Sequence, residues 1–267
     1  MSRPLVVVTG AAAGIGRATA LRFAREGYDV GAYDLDESGL STLGDELSDL
    51  GAACTTGVLD VRDADAFSAA LGQVVAERGR LDVLVNNAGV ATFGRFADAD
   101  PADLHRQVDV NCKGVLNGAH AGFEHLRRTA AEHGTATMVN MASASAIYGQ
   151  PELACYSATK FFVRGLTEAL DLEWGPHDIR VVDVWPLFVA TAMTDGAASG
   201  AIDRLGIRLG PDDVAAGVLA AVRPSRLRRA TRAVHHPVGP QTKVLAGVSS
   251  VSPGWASRLA NKLITRS

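Results

Sequence analysis

A doubly wound α/β domain is the fold class this sequence predicts, on three observations. Short apolar runs of strand length alternate with longer stretches of helical spacing. Strands separated by helices of that length need crossover connections, which are right-handed and bury a parallel sheet between two helix layers. The first apolar run also ends in a glycine-rich turn, Thr9-Gly10-Ala11-Ala12-Ala13-Gly14-Ile15-Gly16. With 267 residues, 47% of them hydrophobic, the chain can fill one sizeable core, and no linker-like stretch divides it. A single domain over 1–267 is expected.

The elements follow in order. Residues 5–8, Leu-Val-Val-Val, read as a buried strand. Ile15, Ala18, Thr19, Arg22 and Phe23 have the spacing of a helix over 15–26, stopped by Gly27. A strand over 28–33 ends at Asp34; a polar helix over 37–50, a strand over 53–59 and a helix over 63–78 come next. A strand over 81–85 ends in Asn86-Asn87-Ala88-Gly89. Residues 104–132 read as one long helix, whose Gly114, Gly118 and Gly122 either loosen it or permit close packing. Strand 135–141, helix 156–174, strand 179–185, helix 211–222 and a last strand over 232–236 complete the alternation. The least regular stretch, about 187–210, begins where ligands sit in such folds, beyond the carboxyl ends of the strands, and is the expected substrate loop. A tail over about 237–267 holds Val244, Leu245, Trp255, Leu259 and Leu263.

Composition excludes several classes of function. Charged residues make up 21%, against a disordered chain. Lys and Arg number 26 against 29 Asp and Glu, a net charge of −3, so the basic excess that phosphate binding needs is missing and no nucleic-acid partner is expected. Three cysteines, Cys54, Cys112 and Cys155, are too sparse for a disulfide scaffold and fit a reducing compartment. Met1-Ser2-Arg3-Pro4 leads directly into the first strand, and no stretch reaches the roughly 20 apolar residues of a bilayer span. The expectation is a cytoplasmic protein without a membrane span.

The glycine-rich turn lets backbone amides approach a diphosphate, and the helix behind it adds unpaired N–H groups and the positive end of its dipole. No Gly-Lys-Ser/Thr follows, against a nucleotide triphosphatase loop; a turn with no ligand is the bland alternative. Asp34 stands eighteen residues after Gly16, at the end of the second strand, where a carboxylate can accept hydrogen bonds from adenosine ribose hydroxyls. Its charge would repel a 2′-phosphate, and no Arg or Lys follows in Leu35-Asp36-Glu37, so NAD is favoured over NADP. Arg17 is the nearest residue that could still reach a phosphate.

Tyr156 and Lys160 stand four apart and share a helix face. A free tyrosine, with a pKa of about 10, is a poor base near neutrality; a neighbouring ammonium favours the phenolate. An ordinary amphipathic helix is the alternative for this pair taken alone.

Together, the turn at 9–16, Asn86-Asn87-Ala88-Gly89, Ser143, and Tyr156 with Lys160 resemble the short-chain dehydrogenase/reductase family, in family order and over about residues 4–236. The resemblance implies a single Rossmann-like domain with a mostly parallel seven-stranded sheet flanked by helices. It also implies hydride transfer between a nicotinamide cofactor and a secondary alcohol or ketone. Tyr156 would be the general acid/base, and Lys160 would lower its pKa and hold the nicotinamide ribose. Ser143, thirteen residues before the tyrosine, would hydrogen-bond the substrate oxygen; Ser145 is off that spacing. Asn111 matches the asparagine that holds a water in the proton relay, or is a polar residue tolerated inside a helix. Gly10, Gly14, Ile15 and Gly16 would line the diphosphate, Asp34 the adenosine ribose, and Asp60 with Val61 the adenine. Asn87, Ala88 and Gly89 would support the cofactor at the fourth strand. Residues 186–191 would lie against the nicotinamide, with Pro186 opening the segment and Thr191 near the carboxamide.

One departure stands out. The family's Pro-Gly after the sixth strand is Pro186-Leu187-Phe188 here, and Leu187, Phe188, Val189 and Met193 make an apolar wall. A hydrophobic alcohol or ketone is the expected substrate. An NADPH-dependent carbonyl reductase and a non-catalytic NAD-sensing module are the rivals. Cys155 lacks the partners of a nucleophile, and Cys112 reads as core. His235-His236 is a poor metal site, and the basic residues between 223 and 232 read as a solvated connection. The tail reads as an oligomer contact or pocket cover, with an amphipathic interfacial helix as the alternative. A homodimer or homotetramer is expected, joined through the helices from Leu104 and Tyr156.

Overall fold

The structure, a computed structural model, describes residues 2–194, 206–225 and 231–251. Most of the expected substrate loop's second half, much of the basic connection, and Trp255, Leu259 and Leu263 lie outside the described residues.

Seven strands form one sheet: β1 (Leu5–Thr9), β2 (Asp29–Asp34), β3 (Cys54–Val58), β4 (Val83–Asn86), β5 (Ala136–Met141), β6 (Ile179–Trp185) and β7 (His235–Pro237). Their order is β3-β2-β1-β4-β5-β6-β7, and every pairing is parallel, where the sequence reading expected a mostly parallel sheet. Helices α1 (Gly14–Arg25), α2 (Glu37–Asp49), α3 (Ala64–Arg78), α4 (Pro101–Val108), α5 (Gly114–His133), α6 (Ala154–Trp174), α7 (Pro211–Val222) and α8 (Gly239–Val251) make the crossovers and the C-terminal cover.

The inner strands are buried on both faces, which explains why β1 reads as an unbroken apolar run rather than an alternating one, while the edge strand β3 is half-exposed. In β1, Val6 and Val8 face a core with Phe23 of α1, Leu43 and Leu47 of α2, and Val214 and Val218 of α7. Leu5 and Val7 face the opposite core, with Phe67 and Leu71 of α3 and Leu126 of α5. Asp36 and Asp63 cap α2 and α3 by accepting from the backbone N–H groups of Gly39 and Ala66.

The expected single helix over 104–132 needs correction. Asp100 and Pro101 start α4 earlier, and Asp109–Lys113 is a π-helical turn before α5. There the Gly114 N–H reaches back to the Asp109 carbonyl, the wider loop of a π-bulge. Periodicity does not detect one inserted residue inside a helix. The α5 glycines permit close packing: a Cβ on Gly118 would stand 2.2 Å from Asn86 Oδ1, and one on Gly122 2.6 Å from Leu84 Cδ2. The first part of the expected tail forms α8, whose Ala246 packs near Trp185. No helix among the described residues is long and apolar enough to cross a membrane.

Candidate active site

A cavity of about 430 Å³ runs across the carboxyl ends of the strands, in the spatial order of the sheet. It passes Asp60 and Val61 after β3, Asp34 at the end of β2, and the turn after β1. It continues past Asn87–Gly89 after β4 and Ser143 after β5 to the segment from Pro186 to Thr194 after β6. Crossovers leave β1 and β4 in opposite directions, so the cleft opens at the topological switch point. Of the site residues expected from sequence, all but Gly16 and Asn111 line it.

The turn is a cradle that side chains would fill. Gly10 and Gly14 have φ of 65° and 53°, a left-handed conformation suited to glycine. A Cβ on Gly16 would lie 1.9 Å from the Gly10 carbonyl oxygen, which places Gly16 beneath the turn rather than on its open side. Asn87 anchors the turn to β4: its Nδ2 donates to the carbonyls of Thr9 at 2.9 Å and Gly10 at 3.0 Å. Thr9 Oγ1 in return accepts from the backbone N–H groups of Asn87 and Ala88. Asn87 thus acts on the cavity through the shape of the turn.

Asp34 accepts from three backbone N–H groups: Ala12 at 2.9 Å, Leu35 at 2.7 Å and Asp36 at 3.1 Å. An ionised carboxylate accepts about four hydrogen bonds, so acceptor capacity remains for a ligand hydroxyl. Asp60 is clasped by Arg62, whose Nε and Nη2 both reach it, and this holds the carboxyl below the usual carboxylate range. Arg17 is absent from the cavity lining and pairs with Glu46.

At the other end, Tyr156 and Lys160 sit on one face of α6. Lys160 is buried, donates to the Met141 carbonyl at 2.7 Å, and lies 5.4 Å from the centre of the Tyr156 ring. Burial pushes the Tyr156 phenol up to about 12, and the neighbouring Ser143 hydroxyl opposes that rise. Burial pulls the Lys160 ammonium down to about 8. Ser143 caps the short turn Ala144–Ala146, accepts from the Ser145 N–H at 3.1 Å and donates to the Pro186 carbonyl at 3.5 Å.

Asn111 lies behind the cavity wall in the π turn. Its Nδ2 donates to the Val90 carbonyl and to Thr159 Oγ1, and its Oδ1 accepts from the Val90 N–H at 2.9 Å. Both amide donors are committed, so the side chain holds the Val90 backbone beside Gly89. Thr191 sits over the turn, its Cγ2 3.2 Å from where a Gly14 Cβ would be.

A family model described as short chain dehydrogenase matches residues 4–201. The chain belongs to the short-chain dehydrogenase family. It is 34% identical to probable oxidoreductase EphD of Mycobacterium tuberculosis over 93% of this chain, but spans only 43% of that protein's length. It is 35% identical to the 3-oxoacyl-(acyl-carrier-protein) reductase FabG of Thermotoga maritima, over 80% of this chain and 87% of that one. Its fold matches the Brucella melitensis 3-ketoacyl-(acyl-carrier-protein) reductase complexed with NADH at TM-score 0.80 and 28% identity, covering 90% and 98% of the two chains. It also matches an alcohol dehydrogenase of Thermococcus sibiricus complexed with 5-hydroxy-NADP, at TM-score 0.76 and 26% identity over 88% and 95%.

The short-chain dehydrogenase cleft also contains residues that sequence reading missed. Phe93 and Leu153 join Leu187, Phe188 and Tyr156 in one apolar cluster beside Ser143. Leu187, where the family pattern has glycine, is buried in that cluster and lines the cavity without displacing Ser143, Tyr156 or Lys160 from it. Arg62, Arg106 and Val110 line the cavity too. Val110, apolar and directly before Asn111, carried a usable signal; Phe93 lies in an irregular segment and carried none.

Proposed function

We propose that this short-chain dehydrogenase is an NAD-dependent oxidoreductase that interconverts a hydrophobic secondary alcohol and its ketone. The observation that carries this reading is the meeting of Ser143, Tyr156 and Lys160 in one cleft, continuous with the glycine cradle and Asp34. The cradle's left-handed glycines and Asp34's remaining acceptor capacity suit a dinucleotide, which when bound supplies the hydride acceptor or donor.

The chain's own residues then hold and protonate the substrate. Ser143 donates to the substrate oxygen, and Tyr156 Oη faces the same atom. In the reductive direction Tyr156 gives its proton to the developing alkoxide; in the oxidative direction it takes the hydroxyl proton. Burial keeps the resting phenol protonated and poised as an acid, while the lysine charge favours the phenolate that forms. Lys160, with its pKa near 8, holds its charge on the acid side of that value. Asn111 supports the site by fixing Val90. Phe93, Leu153, Leu187 and Phe188 exclude water and fit an apolar substrate body.

Asp34 supports NAD over NADP, because a 2′-phosphate there would meet a carboxylate, and Arg17 is engaged by Glu46. The exposed apolar residues Leu116 on α5 and Phe161 and Phe162 on α6 support a homo-oligomer joined through those helices.

The test is a nicotinamide-coupled screen of hydrophobic secondary alcohols and ketones, with Tyr156→Phe as the matched control. The variant should lose about 100- to 10,000-fold in kcat with unchanged NADH affinity. Equal rates would overturn the role of Tyr156. NADPH binding as tightly as NADH would overturn the cofactor preference.

A further inference from the structure

The last strand carries a group that the proposed reaction does not use. His235, the first residue of β7, has both ring nitrogens against acids: Nδ1 lies 2.8 Å from Asp183 Oδ1, and Nε2 lies 2.9 Å from Glu168 Oε1. Ionised carboxylates only accept hydrogen bonds, so both contacts are satisfied together when each nitrogen carries a proton. Burial raises the Asp183 carboxyl above its ordinary value, and the contact with His235 opposes this; with both acids ionised, the ring between them is an imidazolium. Asp183, on β6, is completely buried, and Glu168, on α6, is half open to water. The two acids outweigh burial and raise the His235 pKa above the ordinary histidine value.

This bridge extends to the serine turn by two routes. Glu168 Oε1 also accepts from Arg164 Nε at 3.0 Å, and Arg164 Nη1 donates to the Ala146 carbonyl at 3.2 Å. Ala146 ends the turn that Ser143 caps, and its N–H donates to the Ser143 carbonyl at 2.9 Å. The second route is stacking: the Trp185 ring lies 4.6 Å from His235 and 5.1 Å from the Arg164 guanidinium. Trp185 precedes Pro186, whose carbonyl accepts from the Ala144 N–H at 2.9 Å and from Ser143 Oγ.

We propose that His235, as an imidazolium bridging Asp183 and Glu168, is a positioning residue that holds Ser143 in its reactive place through Arg164 and Trp185. This rests on the assignment of Ser143 as the residue that binds the substrate oxygen. The charged groups facing His235 are Asp183 from β6 and Glu168 and Arg164 from α6. The neighbouring His236 of β7 lies against the Ala233 carbonyl instead. On α8 the only titratable side chain is the exposed Lys243, and the acids of α7, Asp212 and Asp213, sit in its first turn. Loss of the imidazolium proton at high pH removes one of the two contacts and loosens the serine turn.

Three measurements on the full chain test this. Side-chain nitrogen NMR, with His235 assigned by its absence in His235→Gln, should show both ring nitrogens protonated at about pH 7, above the ordinary titration near 6.5. A neutral ring there would overturn the proposal. Amide hydrogen exchange over residues 144–147 should speed up by about tenfold in both His235→Gln and Arg164→Met. Arg164 is partly exposed, so its truncation tests the link even where the His235 variant folds poorly. Unchanged exchange in Arg164→Met would sink the connection to the serine turn. On a substrate found by the screen above, both variants should lose about tenfold in kcat, with KM and NADH affinity unchanged. Faster exchange with unaltered kcat would remove the positioning role while leaving the network standing. The first two readings need no turnover, so their failure is distinct from failure of the oxidoreductase reading.

Discussion

At the β3-β2-β1 end of the cleft the charged groups are partnered and partly open to water. Asp60 and Arg62 clasp one another, and each pushes the other further toward its charged form. At the β4-β5-β6 end Lys160 is buried and Tyr156 half-buried, and loss of water drives both toward neutrality: Tyr156 up to about 12 and Lys160 down to about 8. The same sheet thus supports two kinds of site. The first end works by shape, through a glycine turn pinned by Asn87 and Thr9. The second works by dielectric, through a lysine and a phenol held where water is scarce. A ligand that spans both needs only room and acceptors at one end, but a tuned proton at the other.

Breaking the buried end has the largest expected effect. Lys160→Met removes the ammonium beside the phenol, and kcat should fall by about 100-fold or more. The same variant sharpens the electrostatic contrast. The folded Lys160 titrates near 8 against 10.5 for an unperturbed lysine, so between those values the unfolded chain binds more protons. Wild-type stability should therefore rise with pH across that window relative to Lys160→Met. Urea unfolding of both proteins at about pH 7 and about pH 9.5 measures it. A stability gap independent of pH would refute the buried ammonium.

Breaking the shaped end comes next. Gly16→Ala places a methyl against the Gly10 carbonyl, an overpacking of about 1–3 kcal/mol. NADH affinity, read by fluorescence titration, should drop by about 10- to 100-fold. Unchanged affinity would mean the turn does not hold the dinucleotide. Between the two ends, Asn111→Ala leaves the Val90 N–H and carbonyl without their partner and should cost about 1–3 kcal/mol of stability in a thermal melt. A melting temperature equal to wild type would show that Val90 finds other partners. The smallest effect is expected from Leu187→Gly, which opens the apolar cluster. KM for a hydrophobic substrate should rise by about tenfold with kcat and NADH affinity little changed. A better substrate fit in that variant would show that Leu187 narrows the pocket rather than contributing binding surface.

The sequence by itself determined the strand succession, the glycine turn, Asp34 and the spacing of Ser143, Tyr156 and Lys160. These depend on local rules: apolar runs make buried strands, glycine reaches left-handed backbone, and residues four apart share a helix face. Only the tertiary structure decided which partners those residues meet. The π turn at Asn111 lies where α5 begins its close packing against β4 and where Asn111 fastens Val90, contacts that leave no periodic signal. Phe93 and Leu153 reach Leu187 across irregular chain. His235, read from sequence as one half of a weak metal pair, is set between Asp183 and Glu168 by the register of β7 on β6 and by the packing of α6. Local preference is written in neighbouring residues, whereas burial, and with it the protonation of Tyr156, Lys160 and His235, exists only once distant segments have closed over them.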